Sequence, residues 1–110
     1  MKPKMTIDND GTKEWYLNGK RHREDGPAVE FADGTKEWHL NGNRHREDGP
    51  AVEWVDGTKV WYLNGQYHCE AGPAIELNDG TKFWYLNDKE LTEKEFKKTI
   101  LKKNLQDLIQ

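Results

Sequence analysis

Asp10–Ala32 reads DGTKEWYLNGKRHREDGPAVEFA, and Asp33–Val55 repeats it as DGTKEWHLNGNRHREDGPAVEWV. The pairs Tyr16/His39, Lys20/Asn43, Phe31/Trp54 and Ala32/Val55 differ, so 19 of 23 positions coincide. Asp56–Asn78 keeps the frame with more drift, and Asp79–Asn87 opens another copy before the pattern stops. A period of this length marks an array, in which each unit buries its apolar face by lying against its neighbours.

Within the frame, Pro27–Ala32 runs into Asp33-Gly34 and then Thr35–Leu40. Strand-forming residues on both sides of a turn dipeptide predict a β-hairpin around a two-residue turn, and a four-residue loop gives the same register. With residues whose numbers sum to 67 opposed, Val29 faces Trp38, Pro27 faces Leu40 and Phe31 faces Lys36 on one apolar face. The other face then carries Ala28 with His39 and Glu30 with Glu37, a like-charge pair costing about 0.2–1 kcal/mol. Met5-Thr6-Ile7 stands where Ala28-Val29-Glu30 stands one unit later, so the array starts as a worn half-unit. Four hairpins are predicted: 4–9 with 12–17, 27–32 with 35–40, 50–55 with 58–63, and 73–78 with 81–86. Between them Asn18–Gly26 and its equivalents read as loops along one edge.

The pattern changes after Asn87. Thr92-Glu93-Lys94-Glu95 is a capping box, and the residues beyond it contain neither Gly nor Pro, which predicts a helix over 93–108. Phe96, Ile100, Leu101, Leu105 and Leu108 fall on one stripe that is expected to cover the last hairpin. The fold class is therefore mainly β: an elongated array of stacked antiparallel β-hairpins over residues 4–90 with a C-terminal helical cap over 91–110, one domain spanning 1–110.

Hydrophobic and charged residues each make up 34% of the chain, a balance near that of disordered segments, but five tryptophans and four tyrosines supply enough apolar area to fold. The net charge of −3 is mixed along the sequence, which removes the basic footprint that phosphate binding needs and argues against a nucleic-acid partner. One cysteine, Cys69, excludes an internal disulfide and fits a reducing compartment. MKPKMTIDND lacks the apolar segment of a secretory signal, and no long apolar run offers a membrane span, so a soluble, cytoplasmic protein is expected.

The tryptophans Trp15, Trp38, Trp61 and Trp84 recur at one position of the unit, where alternation with leucine predicts core packing. Tyr16, His39, Tyr62 and Tyr85 are expected on the opposite face, and with Glu30, Glu53 and Glu76 they form the candidate partner-binding surface. His22, His45 and His68 recur with Glu24, Glu47 and Glu70 beside them. Equivalent residues of adjacent hairpins lie roughly 10 Å apart, two strand spacings, so three such histidines cannot converge on one ion and are expected to brace their loops. No metal, cofactor or catalytic residue is therefore predicted. A small-ligand or metal receptor using these loops is the alternative, and self-assembly into a homodimer through the first edge strand is another. Repetition of like residues at equal intervals also works against an active site, which needs different groups around one atom.

With Asn18-Gly19-Lys20-Arg21-His22, Asn41-Gly42-Asn43-Arg44-His45, Asn64-Gly65-Gln66-Tyr67-His68 and the Asp-Gly turns at 33–34, 56–57 and 79–80, the chain resembles a divergent MORN-type repeat array over residues 5–90. The resemblance implies stacked β-hairpins and a scaffold or protein-binding role, and short related repeats occur in bacterial and phage proteins. For a chain of this size it suggests an inhibitor or adaptor that occludes a macromolecular target, for example a phage-encoded blocker of a bacterial defence protein.

Overall fold

The structure is a computed structural model that describes residues 1–109. Its first strands are β1 (Lys4–Ile7), β2 (Lys13–Leu17), β3 (Lys20–Arg21) and β4 (Val29–Glu30). The second unit supplies β5 (Lys36–Glu37), β6 (His39–Leu40), β7 (Asn43–Arg44) and β8 (Val52–Glu53). The third supplies β9 (Lys59–Val60), β10 (Tyr62–Leu63), β11 (Gln66–Tyr67) and β12 (Ile75–Glu76). β13 (Lys82–Leu86), β14 (Lys89–Leu91) and α1 (Glu93–Leu108) complete the chain. A ten-stranded antiparallel sheet runs β1-β2-β4-β5-β8-β9-β12-β13-β14 with β3 beside β2, and β6-β7 and β10-β11 form separate two-stranded pieces. All four predicted hairpins are present. The slab measures 50 × 36 × 18 Å, and its radius of gyration of 16.0 Å exceeds the about 13 Å of a compact domain of this length, so the array is elongated.

The register differs from the sequence reading by one residue. Val29 pairs with Glu37 and Glu30 with Lys36, so the numbers sum to 66, and the expected acid-on-acid contact of Glu30 with Glu37 is replaced by an opposite-charge pair. The cause is the turn. Phe31 N–H donates to Thr35 O at 2.8 Å and Gly34 N–H to Phe31 O at 3.0 Å, enclosing Ala32-Asp33-Gly34 with Gly34 at φ 98°. This is a three-residue loop, a type I turn followed by a left-handed residue, which neither a two- nor a four-residue loop reproduces. Asp33 Oδ1 accepts from Thr35 N–H at 2.8 Å, and Thr35 Oγ1 accepts from Val55 N–H of the next unit at 3.1 Å. Asp-Gly-Thr thus closes its own turn and ties on its successor.

A second correction concerns Asn18–Gly26, expected as loop. Tyr16 pairs with Arg21 and Leu17 with Lys20 around Asn18 and Gly19, at φ 53° and 77°. Two positive φ values at the centre of a two-residue loop are what a type I′ hairpin turn requires, and Asn-Gly is its preferred sequence. Asn41-Gly42 and Asn64-Gly65 repeat it, and Asn87-Asp88 closes the last copy at φ 49° and 67°. Each full unit therefore contains two hairpins.

Because cross-strand partners share a face and sides alternate along a strand, Val29 lies with Glu37 and His39, not with Trp38. The buried set is small: Ala28, Val29, Ala51, Val52, Val60, Cys69, Ala74 and Phe96, joined by Thr12, His22, Thr35, Glu37, His39 and His68. The tryptophan ladder, expected as the core, is half-buried. Helix α1 starts at Thr92 with the reciprocal capping box formed, Glu95 N–H to Thr92 Oγ1 at 3.1 Å and Thr92 N–H to Glu95 Oε1 at 2.8 Å. It lies against β13 and β14. Its stripe is covered at one end: Phe96 is buried and Ile100 half-buried, but Leu101, Leu105 and Leu108 are exposed. Sixteen residues make a rod about 24 Å long, which outruns the β13–β14 hairpin it packs on. No helix among the described residues is long and apolar enough to cross a membrane.

Candidate functional site

Two rows of side chains follow the array. On the face of the buried valines, Tyr16, His39, Tyr62 and Tyr85 recur one per unit, each two residues beyond the strand position filled by Glu14, Glu37, Val60 and Phe83. Their setting changes along the molecule. At the start Arg21 Nη2 meets Glu14 Oε1 at 2.7 Å. In the second unit Glu37 Oε1 takes a hydrogen bond from His39 Nε2 at 2.9 Å, with Arg44 Nε at 3.6 Å. At the far end the row is aromatic: ring centres of Tyr62 and Tyr67 are 4.8 Å apart and those of Tyr67 and Tyr85 5.0 Å. His39, expected on the exposed surface with the tyrosines, is buried at 5% exposure because Glu37 draws it inward, while Tyr16, Tyr62 and Tyr85 are half-buried. The His39 bond, followed by Arg44, holds the Glu37 carboxyl below its usual range against the opposing effect of burial. Burial, and the Tyr67 hydroxyl beside it, push the Tyr62 phenol up to about 12.

On the other face lie Trp15, Trp38, Trp61 and Trp84, each lining a groove: Trp38 and Trp61 between successive loops, Trp15 beside the N-terminal Met1, Lys2 and Pro3, and Trp84 beside α1. Arg23 lies over Trp15 and Arg46 over Trp38, each with its guanidinium carbon 3.9 Å from the ring centre. Glu30 and Glu53 accept from these arginines at 3.2 and 3.1 Å, so two of the three glutamates assigned to the binding surface serve an internal clamp. Glu76, their counterpart, is exposed.

The histidines brace the array. His22 Nδ1 accepts the Asn41 N–H at 2.9 Å, His45 Nδ1 that of Asn64 at 2.9 Å, and His68 Nδ1 that of Asn87 at 3.0 Å. Each ring thereby ties its loop to the turn of the next unit, while Nε2 faces Glu24, Glu47 or Glu70 at 3.7, 3.7 and 3.2 Å. Among the described residues no three His, Cys, Asp or Glu side chains gather where one ion could reach them. Cys69 is buried, which pushes its thiol up, and the ring nitrogens of His68 are bonded to Asn87 and Glu70 instead. Lys103 of α1 also reaches Glu70, and this pairing is the first cause of the lowered Glu70 carboxyl.

Comparison with protein families, curated proteins and solved structures finds no match to this chain.

Proposed function

We propose that the chain is a non-catalytic protein-binding module that occludes a macromolecular target, as an inhibitor or an adaptor. The observation that carries this reading is the pair of half-exposed rows of Trp, Arg and Tyr set out at unit spacing. These residue types dominate interface hot spots, since they offer large rigid contact area with a polar end. Catalysis needs unlike groups converging on one atom, and here the candidate His and Glu side chains are tied one to each unit. The MORN-type resemblance of the Asn-Gly segments agrees with a scaffold of this kind.

The contact surface centres on Tyr62, Tyr67 and Tyr85, with Tyr16 at the other end of the row and Glu76 on the reverse face. His39 is left out by its burial, and Glu30 and Glu53 by their arginines. The test is capture of a protein from a host lysate by the tagged chain and by a Tyr62→Ser, Tyr85→Ser double variant of unchanged circular dichroism. A partner held by the first and released by the second is expected. Equal capture by both removes this surface, and no specific capture removes the reading.

Self-assembly is the second reading, favoured by β1, whose residues are all exposed and which pairs on one side only. A dimer in sedimentation that Thr6→Pro converts to monomer supports it; monomers at every concentration dismiss it.

A further inference from the structure

The first two units show in detail what their tryptophan grooves hold. Arg23 Nε donates to Asp25 Oδ1 at 3.0 Å, and its Nη1 donates to the Pro27 carbonyl at 3.1 Å and to Glu30 Oε2 at 3.2 Å. Arg46 repeats the set with Asp48, Pro50 and Glu53 at 3.2, 3.1 and 3.1 Å. Each guanidinium thus lies between an indole face and a fixed arc of oxygens, and it closes over a glycine. A Cβ on Gly26 would stand 2.9 Å from Arg23 Cζ and one on Gly49 2.7 Å from Arg46 Cζ, so a side chain there would displace the arginine.

The third unit retains this cradle and lacks its occupant. Trp61, Gly72, Pro73 and Glu76 stand where Trp15, Gly26, Pro27 and Glu30 stand, Ala71 replaces the aspartate, and Cys69 replaces the arginine. Around Gly72 no described atom comes within 4 Å of a built Cβ, in contrast to its two counterparts. A cavity of about 230 Å³ between the loops of the second and third units has Arg46, Glu47, Trp61, Cys69 and Ala71 in its lining, and Gly72 and Pro73 border a neighbouring one shared with Trp84 and α1. Of the helix lysines, Lys103 is engaged by Glu70 and Lys97 by Glu93.

We propose that the hollow over Trp61 is an arginine-recognition site, which takes one arginine side chain presented by a partner protein. The incoming guanidinium stacks on the Trp61 ring and donates to the Pro73 carbonyl and the Glu76 carboxylate, as Arg23 and Arg46 do in their own units. Aromatic stacking and in-plane donation to two acceptors suit the flat fork of arginine and not the compact ammonium of lysine. The replacement of aspartate by Ala71 opens the outer rim, where a side chain from another molecule must enter. That the arginine belongs to a protein rests on the binding-module reading; the site itself does not.

The experiment follows the indole N–H resonances of the full-length ¹⁵N-labelled chain during titration with N-acetyl-arginine methylamide, with the lysine and citrulline analogues as controls. A saturable Trp61 shift in the millimolar range is expected with the arginine probe, several-fold weaker with lysine and absent with neutral citrulline, while Trp15 and Trp38 stay in place. Glu76→Gln, at an exposed position, weakens the response several-fold, and Cys69→Arg, which supplies the guanidinium in cis, abolishes it. No Trp61 shift, an equal shift with citrulline, or an undiminished shift in Glu76→Gln overturns the site. A Trp61 shift that grows with protein concentration alone assigns the arginine to a second copy and overturns the choice of partner. Capture of a protein whose binding is indifferent to Cys69→Arg and Glu76→Gln removes this inference and leaves the module. A saturating probe with no captured protein does the reverse.

Discussion

His22 shows how a residue that looks chemical serves as mortar. Its Nδ1 lone pair is spent on the Asn41 amide, a backbone donor that heads the next type I′ turn and has no ladder partner of its own. His22→Phe keeps the ring and removes the acceptor; a loss of about 1 kcal/mol in urea unfolding is expected, with faster hydrogen exchange at Asn41 and unchanged exchange at Asn64. Glu37 is the second revealing residue. Its carboxyl lies below the usual range because the charged form is hydrogen-bonded by His39, so the contribution is complete above the unfolded value near 4.5 and is lost as pH falls through the folded value. Glu37→Gln should therefore cost about 2 kcal/mol at neutral pH, and wild type and variant should converge in thermal melts as the pH drops below that point. Convergence at alkaline pH instead would contradict the assignment. The Tyr62 phenol has the opposite sign: its raised value favours the neutral form in the fold, and the contribution disappears as pH climbs from 10 through about 12. Tyr62→Phe should flatten the alkaline limb of the stability curve.

At the scale of elements, the turns separate what was legible from what was not. Both dipeptides of the unit are turn formers, and the sequence reading gave the two-residue hairpin to Asp-Gly and the open loop to Asn-Gly. The structure assigns the two-residue type I′ turn to Asn-Gly and a three-residue loop to Asp-Gly. One residue in a loop is enough to move a strand by one place, and with a side-chain period of two that carries Val29 away from Trp38 to Glu37. Hairpin existence survived because it depends on composition; the identity of the core face did not, because it depends on register. The helix was readable to its ends, since a capping box is a local arrangement that needs no partner. The turn assignment is testable at Asn41 and Gly42, which sit at φ 51° and 84°. Gly42→Ala should cost about 1–2 kcal/mol, the left-handed penalty of a residue with a Cβ, whereas Asn41→Gly should be nearly neutral.

For the whole molecule, the two side-chain rows were partly legible: the recurrence of Trp15, Trp38, Trp61 and Trp84 was plain, but the arginines that lie on two of them fell within segments read only as loops. That pairing needs Arg23 to arch back across eight residues onto Trp15, and the loop geometry that brings it there is not a periodic feature. What the period does fix is interchangeability. Each unit offers the next the same set of partners: Thr35 Oγ1 for Val55 as Thr12 Oγ1 for Ala32, His45 Nδ1 for Asn64 as His22 Nδ1 for Asn41. Excision of residues 33–55 joins Ala32 to Asp56, sets Val29 opposite Val60, and presents the Asn64 amide to His22, so every inter-unit bond finds an equivalent. Nearest-neighbour energetics then predict a shortened chain that folds with one transition, a lower midpoint and a shallower denaturant slope, because less surface is exposed on unfolding. Excision of 33–44 removes about half a unit, breaks the phase, and should leave the chain unfolded by circular dichroism. If the in-phase deletion is as unfolded as the out-of-phase one, the units are not interchangeable, and the central sheet must depend on the specific Glu37–His39 pair that only the second unit contains.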